Sequence, residues 1–94
     1  TDLSLLDSIV KRKEVYKRGQ VLFRPGERFD YLYAIRSGSV KTYVSTDDGR
    51  VQITGFHIAG ELLGLSALAS RQYSSEAKAL ETISVCKVEI SRLD

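Results

Sequence analysis

The sequence has one cysteine (Cys86), one histidine (His57) and one proline (Pro25), and neither methionine nor tryptophan. A lone thiol forms no internal disulfide, which sets aside the small secreted scaffolds and points to a reducing cytoplasm. Alone it makes neither a zinc site nor an iron–sulfur cluster, which takes several such ligands. With His57 unaccompanied, a metal centre of the kind found in β-roll enzymes lacks its ligands. No apolar run approaches the roughly 18 residues that span a bilayer, and no secretory signal opens the chain, so no membrane partner is expected. The start at Thr1-Asp2, without methionine, reads as a trimmed or processed piece.

Charge of one sign is also scarce, at 14 Lys and Arg against 12 Asp and Glu. Nucleic-acid binders carry a denser basic face and a recognisable reading element, and neither is visible here. Lys11-Arg12-Lys13 and Lys17-Arg18 form short basic runs. One reading is a phosphate patch; the other, adopted here for the first run, is the end of a helix, where cations complement the negative pole. Catalytic signatures are missing too. The seven glycines are dispersed as turn markers, without a dinucleotide or P-loop pattern. Ser66, in Gly64-Leu65-Ser66-Ala67, lacks the second glycine of a nucleophile elbow. A non-enzymatic chain is the expectation.

What is present is one domain's length, 94 residues, with 43% apolar and 28% charged side chains, an ordinary globular mixture. Leu5, Leu6, Ile9 and Val10 recur at helical spacing and predict a short helix over 4–13, with Ser4 and Asp7 as its start signal. The period then changes. Runs around Val15-Tyr16, Val21–Phe23, Tyr31–Arg36, Ser39–Ser45 and Val51–Phe56 are β-rich and separated by turn residues, the mark of an antiparallel barrel or sandwich. Pro25-Gly26 suits a type II turn, and Asp48-Gly49 a hairpin tip in solvent. Gly60–Ala69 loses the alternation and predicts a helical turn. Strands follow over Ser75–Leu80 and Ser84–Ile90, and Ser91–Asp94 reads as the entry to another helix.

Three stretches are more particular than turn chemistry demands. Leu32–Tyr43 (LYAIRSGSVKTY) resembles the strand–Gly–strand signature of cyclic-nucleotide-binding-like domains. Gln52–Leu68 (QITGFHIAGELLGLSAL) and Ala79–Ile90 (ALETISVCKVEI) resemble the FNR/ANR branch of the CRP/FNR transcription regulators. The resemblance covers nearly the whole chain. It implies a mainly β fold, a double-stranded β-helix (jelly roll) with short flanking helices, residues 1–94 forming the sensory domain. It also implies a dimerisation helix and a DNA-binding helix-turn-helix beyond this chain, a homodimer, and DNA as a partner of the full-length regulator.

The resemblance marks candidate sites as well. In nucleotide-binding relatives, a Gly-Glu pair and a later arginine with a hydroxyl residue grip the cyclic phosphate. Here Gly60-Glu61 remains, while Ser75 stands in the arginine's place and Glu76 in that of the hydroxyl residue. A carboxylate is a poor neighbour for phosphate, although Arg71 lies a few residues upstream, so cyclic-nucleotide or other small-ligand sensing stays open as the alternative. Glu61 has a plainer role to fill, stabilising the first turn of a short helix.

Cys86, read from the residues alone, is a small core residue, since free cysteine is commonly buried. The resemblance instead makes it the internal ligand of an oxygen-labile 4Fe–4S cluster, beside three cysteines of an N-terminal extension. On that reading this piece alone carries no cluster and no metal. Lys87 stands where relatives would carry an acidic residue, a charge beside the thiol that would bear on cluster lability. The loop Thr46, Asp47, Asp48, Gly49 and Arg50 is either a solvated turn or, by resemblance, a contact for the sigma subunit of RNA polymerase.

Overall fold

The computed structural model describes residues 11–90. Eight strands run in chain order: β1 (Lys11–Tyr16), β2 (Val21–Phe23), β3 (Tyr31–Ser37), β4 (Ser39–Ser45), β5 (Val51–Ile58), β6 (Leu62–Leu63), β7 (Glu76–Ala79) and β8 (Ile83–Glu89). They form two antiparallel four-stranded sheets, ordered β1-β8-β3-β6 and β2-β7-β4-β5. Consecutive strands alternate between sheets except at the β4–β5 hairpin, which stays within one sheet, and this is the jelly-roll, cyclic-nucleotide-binding-like architecture that the sequence implies. Among the described residues a 3-10 turn, Leu65–Ala67, interrupts the strands where Gly60–Ala69 predicts helical structure.

The expected helix over 4–13 is corrected at its end: Lys11, Arg12 and Lys13 are extended in β1, in register with Val88, Lys87 and Cys86 of β8. The helical spacing of the preceding apolar residues carries no stop signal before these cations, and pairing with β8 overrides local preference. Residues 4–10 of that helix, and the helix entry at Ser91–Asp94, lie outside the described residues.

The core sits between the sheets. Tyr33 and Ile35 of β3, with Ile83 and Val85 of β8, face Val40 of β4 and Ala77 and Ala79 of β7, all of them buried. Phe23 stacks on Tyr73 at a centroid separation of 3.9 Å, and Phe29 meets Tyr73 edge-on at 5.5 Å, closing one end. On β3, β7 and the start of β8 the buried side chains recur at every second position, as the pleat dictates, whereas β5, at the edge of its sheet, has none buried.

Turns set the register. Arg24 C=O accepts from the Glu27 N–H at 3.2 Å across Pro25-Gly26, with Gly26 at φ +86°, as a type II corner requires. Gly38 alone joins β3 to β4 and so carries the chain from one sheet to the other. Its φ is +91°, and a Cβ there would stand 2.4 Å from Ile83 Cγ2 and 2.8 Å from the Thr82 carbonyl oxygen. Only glycine fits this crossing.

Candidate functional site

Three places bear on function: the outer face of the first sheet around Cys86, a cavity beside β4 and β5, and the β4–β5 hairpin tip. Along β8, Ile83 and Val85 are buried, while Ser84 and Cys86, which alternate with them, are half-buried. The pleat therefore turns Cys86 away from the core, towards the outer face. Its cross-strand neighbours are Lys13 on β1 and Ala34 on β3. The rows on either side bring Val15, Ser84 and Ser37 together, then Val88 with Leu32. Ser37 and Ser84 hydroxyls meet at 2.8 Å, as partners on one face must. Cys86 is thus a half-buried thiol on the outer face of the sheet, between Lys13 and Ala34, not a member of the core.

Lys87 lies on the opposite face. Its Nζ is 4.1 Å from the Tyr31 ring centroid, 5.7 Å from that of Tyr33, and 3.5 Å from Glu14 Oε1. With its side chain 14% exposed, the ammonium is held by two aromatic faces and a carboxylate. The expectation that Lys87 supplies a charge beside the thiol is corrected: the sheet separates these two side chains, and the cation in register with Cys86 is Lys13.

The cavity, about 360 Å³, is lined on one wall by Thr42, Thr54 and His57 and on the other by Ser66, Ser74 and Ser75, with Phe23, Tyr73 and Leu65 among its apolar lining. Of the sequence-marked residues, Ser75 lines it; Gly60, Glu61 and Glu76 do not. Glu61 stands behind His57, its Oε1 3.1 Å from Nδ1. It precedes β6 rather than the 3-10 turn, whose first turn holds no acid, so the helix-pole role is corrected to a histidine partner. Glu76 accepts from the Tyr43 hydroxyl at 2.6 Å, and the β4–β7 register pairs these two residues on the face away from Thr42. Burial first, then this hydrogen bond to a carboxylate, pushes the Tyr43 hydroxyl up to about 12. Arg71 is outside the lining.

Thr42, Thr54, His57, Ser66 and Ser74 carry no motif and are missed by sequence reasoning. His57 is dismissed there because it lacks a second histidine, yet it is the one ring in the lining with hydrogen-bonding nitrogens. A bulge in the β4–β5 register, between Thr42/Gly55 and Tyr43/Ile53, places Thr54 opposite no residue of β4. From there its hydroxyl donates to Thr42 Oγ1 at 2.9 Å.

At the hairpin tip, Thr46 C=O accepts from the Gly49 N–H at 2.9 Å, and Arg50 C=O from the Thr46 N–H at 2.8 Å. Thr46, Asp47, Asp48, Gly49 and Arg50 are all exposed. Asp48 accepts from the Thr46 hydroxyl, which holds its carboxyl below the ordinary range, helped by the Arg50 N–H. Arg50 Nε lies 3.1 Å from Asp48 Oδ2. The arginine and one aspartate offset each other, and Asp47 is left as the net charge of the tip.

Among the described residues, no group of three or more His, Cys, Asp and Glu is placed to hold a metal ion. The donor set offers one thiolate towards a cluster and no more. No described helix is long and apolar enough to cross a membrane.

The cyclic nucleotide-binding domain family matches residues 13–94. Among curated proteins, the chain is 50% identical over 93 residues to the transcriptional activator protein Anr of Pseudomonas protegens, covering 99% of this chain and 38% of that protein. It is 47% identical to the fumarate and nitrate reduction regulatory protein of Escherichia coli, covering 99% of this chain and 37% of that protein. The chain thus spans under two-fifths of these relatives. Among solved structures, FixK2 from Bradyrhizobium japonicum superposes with a TM-score of 0.83 at 29% identity, over 90% of this chain and 42% of that one. The catabolite activator protein of Thermus thermophilus, at TM-score 0.79 and 24% identity over 96% of this chain and 42% of that one, shares the fold. The curated relatives are named as regulators, which agrees with a non-catalytic chain. Fold, family match and identity together place the chain in the cyclic nucleotide-binding domain family, as the sensory domain of an FNR/Anr-type regulator of the CRP/FNR superfamily.

Proposed function

We propose that this chain is the oxygen- or redox-sensing part of a cytoplasmic, homodimeric, DNA-binding activator. In that protein Cys86 would supply one thiolate to a 4Fe–4S cluster and residues outside this chain the other ligands. The observation that carries the reading is the position of Cys86. It is half-buried on the outer face of the first sheet, beside Ala34, where a second segment can approach the sulfur. A core thiol would be closed to such ligation. The same reading assigns the exposed tip Thr46–Arg50 to contact with the sigma subunit of RNA polymerase, with Asp47 the available charge. The cyclic-nucleotide alternative has the family's cavity in its favour. Against it, no lysine or arginine lines that cavity among the described residues, and a cyclic phosphate needs a cation there.

Anaerobic reconstitution of the full-length protein with iron and sulfide, beside its Cys86→Ser variant, tests the reading through visible absorbance and iron content. An oxygen-labile chromophore in the parent alone supports it. Two colourless proteins, or a variant as coloured as the parent, overturn it.

A further inference from the structure

The outer face of the second sheet carries an apolar stripe that a regular strand would not assemble. Val51, Ile53, Phe56 and Ile58 of β5 are exposed, Phe56 most of all at 62%. Ile53 and Phe56 are three residues apart, so in an unbroken pleat they would point to opposite faces. The bulge between Thr42/Gly55 and Tyr43/Ile53 restores the phase. Ile53 is then in register with Tyr43 and Phe56 with Lys41, so the two halves of the stripe share one face. β5 is an edge strand of eight residues without a charged side chain, and contiguous exposed apolar surface of this kind marks contact with a partner.

Two cations flank the stripe. Lys41 and Lys78 are directly opposite each other across β4 and β7, a like-charge pair that disfavours the sheet. Each reaches the Tyr43 ring, with Nζ 5.3 Å and 5.7 Å from its centroid. The ion pairs among the described residues include neither lysine. Neighbouring carboxylates are engaged elsewhere: Glu76 accepts from the Tyr43 hydroxyl and Glu81 from that of Ser39, both at 2.6 Å.

Charge decides among the occupants. A second copy stacked face to face would bring both lysines against their counterparts, because a two-fold contact apposes the same patch. A duplex or an anionic membrane presents a continuous negative surface, which Glu76 and Glu81 on this face would repel. The described chain starts in β1 and ends just past β8, both in the first sheet, so neither end is presented to this face. A partner with an apolar stripe and a flank of discrete carboxylates satisfies both halves. An eight-residue strand is about 25 Å long. That length suits a helix of about four turns lying along β5.

We propose that this face docks an acidic amphipathic helix of a partner protein, its apolar stripe on Ile53, Phe56 and Ile58 and its carboxylates on Lys41 and Lys78. The surface is on the sheet that does not hold Cys86, and it stands or falls without the cluster.

The test is fluorescence anisotropy of two labelled synthetic helices with the same leucine stripe, one flanked by glutamates and one by lysines, titrated with this chain. The glutamate helix should bind saturably, and the lysine helix about tenfold more weakly or worse. Phe56→Thr and the double variant Lys41→Gln/Lys78→Gln, each shown by its melt to be folded, should weaken the glutamate helix about tenfold. Only the double variant should flatten the salt dependence of binding. The full-length protein should bind the glutamate helix as this chain does. The proposal fails if neither helix saturates, if both bind alike, or if either variant keeps full affinity. It fails if the full-length protein does not bind, since its own segments then cover the face. Phosphatidylglycerol vesicles that hold the chain through Phe56 and both lysines, and more tightly than the glutamate helix does, overturn it in favour of a membrane. A Cys86→Ser chain should titrate as the parent does, so failure here and failure of the cluster reading are told apart.

Discussion

Cys86 and Lys87 are neighbours in sequence and lie on opposite faces of the first sheet, the thiol outward and the ammonium between Tyr31, Tyr33 and Glu14. A charge on one face reaches the other only through the sheet, so Lys87 acts on stability rather than on the thiol. Lys87→Met should cost about 1–2 kcal/mol, mostly the lost cation–π contact, since Glu14 is partly exposed and screened. The alkylation rate of Cys86 should stay within a small factor of the parent's. Urea melts and iodoacetamide kinetics on the same pair of proteins check both halves. A large change in thiol reactivity with no loss of stability would contradict the separation.

The crossing at Gly38 gives a second prediction. Gly38→Ala places a methyl group against Ile83 Cγ2 and the Thr82 carbonyl, at a backbone φ of +91°. Left-handed strain and overpacking add, so a loss of about 2–4 kcal/mol is expected. Gly49→Ala, also at positive φ but with open space around its Cβ, should lose about 1 kcal/mol. Equal losses at the two positions would show that the contact with Ile83 does not matter.

Alkaline pH gives a third. Burial is the leading cause that raises Tyr16 and Tyr73 to about 12, as it does Tyr43, and it raises Tyr33 further. A tyrosine whose folded pKa is raised binds its proton more tightly when folded than when unfolded. Its contribution is thus fully present below about pH 10 and is lost as pH rises towards 12. Urea midpoints should hold level up to about pH 9 and then fall. Tyr43→Phe, which also removes the hydrogen bond to Glu76, should cost about 1–2 kcal/mol at neutral pH and make the alkaline fall shallower. A midpoint that rises above pH 10 would refute the assignment.

Much of this architecture is legible in the residues, and the exceptions have physical reasons. Pro25-Gly26 and Asp48-Gly49 mark corners because the proline ring fixes φ and glycine alone takes positive φ without a Cβ clash, and both corners stand where the sequence places them. Of β1, the run at Val15-Tyr16 is legible, while Lys11–Lys13 escape because three successive cations show no apolar alternation. Its extended form comes from pairing with β8, far along the chain. The cavity escapes for a similar reason. Thr42, Thr54 and His57 meet across two strands through a bulge, and Ser66 and Ser75 come from separate segments. No spacing within a single run encodes that meeting.

The outward position of Cys86 gives a last prediction, which needs no cluster. Across β8 and β3, Ala34 is directly opposite Cys86 on the outer face and leaves the sulfur open on that side. Native alkylation of Cys86 should therefore proceed without global unfolding, and its rate should not follow stability when urea is added well below the midpoint. Ala34→Leu would extend a larger side chain over the thiol and slow labelling several-fold, while the exposed face tolerates the added volume better than a packed core would. Mass spectrometry of timed quenches, with a melt of each variant, separates the two effects. If labelling instead tracks the unfolded fraction, as it does for a core thiol, a second segment could not reach the sulfur in the folded domain, and the assignment of Cys86 as a ligand would lose its structural basis.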